Sequence, residues 1–414
     1  MSSGPGEAPD RVVAVPLKEF AGWGGGIDFI RLILEALLHD PALRVVALIP
    51  RQPLHKQVRK GLDAALRSVA ALARGRVEWK PDRPIDPERV RAAIADFEPR
   101  VEIRTYPDSS RGLRSALRRA GAGVAIPCIR PLKAPGPPWV GYIYDFQHRY
   151  YPQFFPEAER AGRDATFSRM MAAAPVVICN SEAVRDDAER FHPGSARKIV
   201  VMPFAPVVRG EWFDLDPASA RRRHAVPERY FIVCNQLWVH KDHPTAIRAF
   251  AAFLAQGGDP AAALVCTGGM HDYRDPGYPA AIRALVAELG LAGRVHLLGH
   301  IPKDDQIARV HGAIAVLQPT WFEGGRGGGA VLDALALGVP ALLSDIPVNR
   351  EIVHEGCRFF PREDPAALAS LMLELAAAEP ARPDRAELLR RAEAGMARLS
   401  LSLAGAMRRA REAR

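Results

Sequence analysis

The sequence has few cysteines and few aromatic residues, and both scarcities exclude classes of protein. The five cysteines are odd in number and show no Cys-x-x-Cys spacing, which excludes a disulfide framework and a cysteine-ligated metal site. Aromatic residues are only 7% of the chain, whereas a nucleic-acid-binding face interleaves them with basic residues. We therefore expect reduced thiols and no nucleic-acid partner.

Long apolar runs are also missing. No run reaches the roughly 18 residues that span a bilayer, because Asp333 interrupts the best candidate at 327–344. Residues 1–10 are polar and lack the apolar core of a secretory signal. Hydrophobic residues at 48% and charged residues at 25% are typical of an ordinary soluble protein. The expectation is a cytoplasmic globular protein of two or three domains.

Lysine is scarce as well, although the chain is basic. Of 56 basic residues only eight are lysine and 48 are arginine; against 47 acidic residues the net charge is +9. We interpret the excess as a solvated surface. The alternative is an anionic partner, either a phosphorylated ligand or the inner face of a membrane.

Short β-branched runs alternate with helical patterns along the chain. This alternation predicts an α/β fold of two doubly wound units, each with a parallel sheet flanked by helices. The candidate strands of the first unit are 12–16, 45–50, 101–106, 140–145, 176–181 and 199–204, with helical patterns at 30–38, 87–97 and 110–120. Those of the second unit are 230–235, 263–268, 295–300, 313–319 and 340–344.

The domain boundary is predicted between Pro206 and Pro227, where Pro, Asp and Arg are frequent and apolar periodicity is lost. We assign residues 1–207 to an N-terminal domain, 208–382 to a C-terminal domain and 383–414 to a helical tail. The tail carries an apolar stripe at helical spacing under a basic surface. Packing on a domain is the favoured interpretation, with membrane contact as the alternative.

The strongest chemical signal is a glycine-rich loop between a strand and a helix. Glycines and free helix N-terminal amides favour a phosphate or diphosphate. Glu323 precedes the loop and Asp333 lies in the helix after it, both placed to accept hydrogen bonds from sugar hydroxyls. The loop itself comprises Gly324, Gly325, Arg326, Gly327, Gly328 and Gly329, in which Arg326 adds a positive charge.

A second signal is Lys241, in the loop between the strand at 230–234 and a helix at 245–255. Ligands of open α/β sheets bind at the carboxyl ends of the strands, where a lysine is a natural counter-charge for phosphate. A surface lysine is the alternative.

The N-terminal half offers weaker candidates. Asp145 and His148 follow a central strand and are candidates to position or deprotonate an acceptor hydroxyl, with a structural histidine as the alternative. Gly25 and Gly26 belong to a glycine turn at 24–26 that either admits a ligand or only turns the chain. The Asp214-Leu-Asp216 pair imitates a metal site but has no preceding strand, so we discount it.

Together these motifs resemble the family-4 retaining glycosyltransferases of the GT-B fold. The matching residues are the glycine turn 24–26, Asn180-Ser181-Glu182, Lys241, Glu323, Gly338-Val-Pro340 and Ser344 to Glu351. The resemblance covers roughly residues 12–380. Two departures stand out: nine residues instead of seven separate the acids and the second acid is Asp333, and Gln236 replaces an arginine five positions before Lys241.

The resemblance implies two Rossmann-like domains facing a central cleft. Glu323 would then hold the transferred sugar, Asp333 the nucleotide ribose, Lys241 the diphosphate, and the backbone at 298–301 the base. The implied reaction moves a hexosyl unit to a saccharide or lipid-linked acceptor in polysaccharide or glycolipid assembly. The sequence does not identify the donor: GDP-mannose is the first choice, with UDP- and TDP-sugars as close alternatives. No metal and no other cofactor is implied.

Two alternatives remain open. The first alternative is an inactive sugar-nucleotide-binding protein, because of the two departures Gln236 and the shorter Asp333. Another GT-B activity, such as a sugar-nucleotide epimerase or a phosphorylase, is the second. A phosphorylase would need a pyridoxal phosphate lysine and a much longer chain.

Overall fold

The computed structural model describes residues 11–20, 25–51, 87–133, 135–203, 205, 208–272, 274–378 and 382–413. Within these residues the chain forms two β-sheets flanked by helices, and all paired strands run parallel. Their strands are rich in Val, Ile and Leu and are mostly buried, as expected for sheets covered on both faces. The predicted α/β fold class, two Rossmann-like domains with parallel sheets, is confirmed.

The first sheet has the order β3-β2-β1-β4-β5-β6-β7. Its strands are β1 (Val12–Pro16), β2 (Arg44–Arg51), β3 (Val101–Pro107), β4 (Val124–Cys128), β5 (Trp139–Tyr142), β6 (Val176–Cys179) and β7 (Ile199–Val201). The helices described with it are α1 (Gly26–Leu38), α2 (Pro87–Ala92), α3 (Ser110–Ala120), α4 (Gln147–Tyr150), α5 (Glu157–Ala173) and α6 (Glu182–Phe191).

The second sheet repeats this arrangement in the order β10-β9-β8-β11-β12-β13. Its strands are β8 (Tyr230–Cys234), β9 (Ala263–Thr267), β10 (Val295–Gly299), β11 (Val316–Gln318), β12 (Ala341–Ser344) and β13 (Cys357–Phe360). The helices are α7 (Pro217–Arg223), α8 (His243–Ala255), α9 (Tyr278–Glu288), α10 (Lys303–Gly312), α11 (Gly328–Ala336), α12 (Pro347–Arg350), α13 (Pro365–Ala377) and the C-terminal α14 (Arg385–Glu412). In both sheets the strand order reverses beside the first strand, where open α/β sheets bind ligands.

The sequence pattern did not predict strands β4 and β13. Pro127 lies inside β4 and removes a backbone donor, and the register between β4 and β5 shifts between Ala125 and Cys128. Strand β13 is short, lies at the sheet edge and carries an exposed Arg358. Neither strand shows the periodicity that reveals a strand in sequence.

The acids in the segment between the two sheets have structural partners. The carboxylate of Asp216 accepts the N–H groups of Ala218 and Ser219 and so caps α7. Asp214 pairs with Arg385 at 2.7 Å. Both partnerships agree with discounting a metal site there.

Helix α14 returns from the second sheet to the first. Its apolar side chains enter the core formed by α1 and strands β4 to β6: Met396, Leu399, Leu403, Ala406, Met407 and Ala410. The predicted apolar stripe therefore packs on a domain, and this face of α14 is not available to a membrane. Among the described helices, none is long and apolar enough to cross a bilayer.

Two leucines on α14 provide a test of this packing. Leu403 is fully buried, whereas Leu401 is 73% exposed on the same helix. Leu403→Ala should lower the free energy of unfolding by about 2–5 kcal/mol because it leaves a cavity. Leu401→Ala should change it by less than about 0.5 kcal/mol. Urea denaturation followed by circular dichroism measures both, and equal losses would contradict the buried seat of Leu403.

Candidate active site

A cleft of about 770 Å³ lies between the two domains. On the side of the N-terminal domain, the lining includes residues at or after the ends of β1, β5 and β6. On the side of the C-terminal domain, it includes residues at or after the ends of β8 and β11 and the start of α11. The carboxyl ends of both parallel sheets thus contribute to one cavity, which is the usual ligand position in such folds.

Glu323 is held by two donors in this cleft. Lys241 Nζ lies 2.5 Å from Glu323 Oε1, and Gln318 Nε2 donates to the same oxygen at 2.8 Å. The amide of Gln318 is itself fixed, because its Oε1 accepts a hydrogen bond from Asn235 Nδ2 at 2.8 Å. The side chains of Lys241 and Glu323 are only 14% and 12% exposed, so water screens their attraction weakly. The predicted residues Lys241 and Glu323 therefore meet.

The loops that carry these residues are tied together by backbone contacts. The carbonyl oxygen of His240 accepts the N–H of Trp321 at 2.8 Å and the hydroxyl of Thr320 at 3.0 Å. Burial and the neighbouring Lys241 hold the pKa of His240 well below its usual range, so its ring adds no charge. The two hydrogen bonds to the His240 carbonyl therefore keep the loop after β8 at a fixed distance from the loop after β11.

The glycine-rich loop brings bare backbone to the cleft. A Cβ atom at Gly324 would lie 2.3 Å from the carbonyl oxygen of Tyr144, so only glycine permits this approach to the N-terminal domain. Gly327 and Gly328 have φ of +64° and +73°, a left-handed conformation that favours glycine. Gly324, Gly325, Gly327, Gly328 and Gly329 all line the cleft, beside the amides of the first turn of α11.

Asp333 lines the cleft from within α11 and has a partner that the sequence analysis missed. Lys303 Nζ donates to Asp333 Oδ2 at 2.6 Å. Burial raises the pKa of Asp333, and Lys303 offsets part of that effect. Burial acts to lower the pKa of Lys303. The charge and the hydrogen bond of Asp333 act in the opposite direction, and the net pKa of Lys303 is raised. A lysine that begins a helix faces an unfavourable dipole, which was the available signal for a carboxylate partner.

Arg326 is not among the residues that line the cleft. Its Nε donates to Glu351 Oε2 at 2.9 Å, outside the residues that line the cleft. The Glu351 carboxylate also accepts the N–H groups of Glu182 at 2.9 Å and Ala183 at 2.8 Å. Arg326 therefore neutralises a glutamate that caps helix α6 of the other domain, and the phosphate contact expected of Arg326 stays a prediction.

His148 also lies outside the cleft. Its side chain is fully buried, Nε2 is 2.8 Å from Asp164 Oδ1, and its ring packs against Phe146, Phe155 and Phe167. Burial lowers the pKa of His148 despite the nearby Asp164. A direct role in the chemistry does not fit this position.

Asp145 does line the cleft and is 21% exposed. Its Oδ1 accepts the N–H of Gln147 at 2.9 Å, and Arg163 lies 3.9 Å away. These partners hold the carboxylate of Asp145 in place on the N-terminal wall of the cleft.

The two described glycines of the turn after β1 have different surroundings. Gly25 lines the cleft. A Cβ atom at Gly26 would lie 2.2 Å from the carbonyl oxygen of Phe20, so Gly26 permits close packing rather than ligand contact. Gly24 lies outside the described residues. Asp28, in the first turn of α1, also lines the cleft and was missed.

The residues expected to contact the base do not line the cleft. Residues 298–301, the proposed base contacts, are not among the residues that line the cleft, whereas Cys234, Trp212 and Lys303 are. Among the described residues, no three His, Cys, Asp or Glu side chains form a metal-binding group.

Solved structures with the same architecture match nearly the whole chain. A sucrose-phosphate synthase from Thermosynechococcus elongatus is 17% identical, with 94% of each chain covered and a TM-score of 0.59. HepE from Anabaena, in complex with UDP and glucose, is 14% identical, with 96% of this chain and 95% of that chain covered and a TM-score of 0.59. WaaG, a glycosyltransferase involved in lipopolysaccharide biosynthesis, is 14% identical, with 95% and 98% covered and a TM-score of 0.55. At these identities the likeness shows the fold.

A family model adds a sequence match. Residues 217–393 match the family described as glycosyl transferases group 1. This range contains Lys241, Glu323 and Asp333. The protein thus has the GT-B fold, and its C-terminal half matches the group 1 glycosyl transferases.

Proposed function

We propose that this protein is a retaining glycosyltransferase that moves a hexosyl unit from a nucleotide-diphosphate sugar to an acceptor hydroxyl. The observation that carries the proposal is the convergence of Lys241 and Gln318 on Glu323 beside the bare backbone of the glycine-rich loop. A fixed carboxylate, a cation and unblocked helix amides are the groups that bind a sugar next to a diphosphate.

The diphosphate is assigned to the first turn of α11 and to Lys241. Loop glycines leave the backbone amides uncovered by side chains, and the helix dipole favours negative charge there. In the structure Lys241 pairs with Glu323, so a bound diphosphate would share the positive charge of Lys241 with that carboxylate. The same cation then stabilises the negative charge that develops on the leaving nucleoside diphosphate.

The two carboxylates would bind hydroxyl groups of the donor. Glu323 is placed for the transferred sugar and Asp333 for the ribose. Lys303 compensates the charge of Asp333, which limits its repulsion of the diphosphate. HepE, which shares the fold, is described in complex with UDP and glucose and supports a nucleotide-sugar donor.

The acceptor would lie against the N-terminal wall, where Asp145 can orient its hydroxyl. The acceptor oxygen bonds to the anomeric carbon from the side on which the bond to the diphosphate breaks, and its proton passes to the departing phosphate oxygen. This front-face step retains the anomeric configuration. We propose that it proceeds without a metal, since Lys241 and the loop amides supply the positive charge.

The biological setting follows from the acceptor. We propose a mannosyl transfer from GDP-mannose to a saccharide or lipid-linked acceptor, in polysaccharide or glycolipid assembly, at the cytoplasmic face of a membrane. WaaG, a structural neighbour, is described as involved in lipopolysaccharide biosynthesis, which supports this class of acceptor.

The donor can be identified by incubating the purified protein with GDP-mannose, UDP-glucose and TDP-glucose. We expect GDP-mannose to raise the melting temperature and to release nucleoside diphosphate in the presence of saccharide acceptors. If no nucleotide sugar binds, the proposal is wrong. Binding without turnover would indicate a sugar-nucleotide-binding protein instead.

Glu323→Gln tests the central carboxylate. The substitution keeps the shape but removes the charge that Lys241 and Gln318 hold in place, and we expect kcat to fall about 100-fold or more. Glu355→Gln is the control, because Glu355 is 66% exposed and pairs with Arg391 away from the cleft. Steady-state release of nucleoside diphosphate measures both variants. Wild-type turnover in Glu323→Gln would rule out the assigned role.

Lys303→Met tests the pair at the ribose position. Without its cation, buried Asp333 should have a still higher pKa, because burial already raises it. At high pH the affinity for nucleoside diphosphate should persist. As the solution is acidified, the variant should lose this affinity at a higher pH than the wild type does. Calorimetric titrations across pH 5–8 measure this shift, and an unchanged pH profile would contradict the assignment.

A further inference from the structure

A tyrosine and an asparagine lie side by side in the lining of the cleft. Tyr142 is the last residue of β5, and Asn180 lies between the end of β6 and Ser181, the N-cap of α6. Asn180 Nδ2 donates to the Tyr142 hydroxyl at 3.0 Å. Both residues line the cleft, although Tyr142 is fully buried and Asn180 is only 6% exposed.

The hydrogen-bonding capacity of this pair is incomplete. Asn180 Oδ1 is buried and has no hydrogen-bond partner among the described residues. Burial raises the pKa of Tyr142, so its hydroxyl stays protonated. That hydroxyl accepts from Asn180 and still has its own hydrogen to donate. An unsatisfied buried polar atom is costly, so such atoms in folded proteins usually serve a ligand or a bound solvent molecule.

Whichever way the amide is turned, the pair keeps at least one donor and one acceptor for a ligand. If the amide is reversed, Tyr142 donates to the asparagine oxygen, and the asparagine NH₂ and a tyrosine lone pair remain. One donor beside one acceptor complements an alcohol, which both donates and accepts. Because the pair carries no charge, it does not select a phosphate or a carboxylate.

The pair is rigid and faces the glycine-rich loop. The ring of Tyr142 stacks on Phe29 with centroids 4.4 Å apart. A Cβ atom at Gly325 would lie 3.6 Å from the Cβ of Asn180. The next residue, Ser181, donates from Oγ to the carbonyl oxygen of Gly324 at 3.3 Å. Asn180 is therefore held against the loop that follows Glu323.

We propose that Tyr142 and Asn180 together bind one hydroxyl group of the sugar substrate, beside the glycine-rich loop that follows Glu323. The inference rests on the proposed function and adds a sugar-recognition element on the N-terminal wall. The hydroxyl belongs either to the transferred sugar or to the acceptor, and the experiment separates the two.

Tyr142→Phe and Asn180→Ala remove the two halves of the pair. Tyr142→Phe keeps the ring stack, and Asn180→Ala leaves Ser181, the residue that caps α6, unchanged. Tyr106→Phe is the control, because the Tyr106 hydroxyl is also buried, has no hydrogen-bond partner among the described residues and lies outside the cleft. Melting temperatures verify that each variant is folded.

The donor arm compares the affinity for GDP-mannose with that for GDP, and the acceptor arm measures the acceptor KM at saturating donor. Each variant should either weaken GDP-mannose binding or raise the acceptor KM, by about 3- to 15-fold, and should leave the affinity for GDP unchanged. The double variant should lose less than the product of the single losses, because the two groups share one ligand. Tyr106→Phe should match the wild type in both arms.

A deoxy-sugar series identifies the bound hydroxyl. In the wild type, removing that hydroxyl should weaken binding, whereas in Tyr142→Phe the same deoxy analogue should bind as well as the parent sugar. Unchanged constants in both arms, or an equal loss of GDP affinity, would refute the inference alone. A wild-type protein that binds no nucleotide sugar would refute the proposed function itself.

Discussion

The ion pair between Lys241 and Glu323 is the interaction on which the proposed site depends. It joins the first loop of the C-terminal domain to the loop after β11, and both side chains are nearly buried. Gln318 and Asn235 extend the network to the ends of β11 and β8. Because the weak exposure keeps the attraction strong, the carboxylate has one orientation before any ligand arrives.

Contacts across the cleft set the distance between the two walls. Glu351 caps α6 of the N-terminal domain while pairing with Arg326 of the glycine-rich loop. Gly324 approaches Tyr144 so closely that a side chain would not fit. Helix α14 leaves the C-terminal domain and enters the N-terminal core. These contacts place the N-terminal wall, with Asp145 and Asn180, next to the glycine-rich loop.

Several side-chain roles could not be predicted from sequence spacing. Arg326 lies in the predicted loop, but Glu351 draws it out of the cleft. His148 follows the predicted strand, but Asp164 and three phenyl rings hold it in the interior. Lys303 was missed because its partner Asp333 is 30 residues away in sequence. In each case a distant residue decided where the side chain lies.

The sequence by itself determined the fold class, the two parallel-sheet domains, most strands and the loops that carry Lys241, Glu323 and Asp333. Alternating apolar runs and glycine-rich turns act locally, so they can be recognised without three-dimensional information. Only the tertiary structure decided which charges meet. Ion pairs, helix caps and unsatisfied hydrogen bonds depend on distances between segments far apart in the chain, and sequence spacing does not contain those distances.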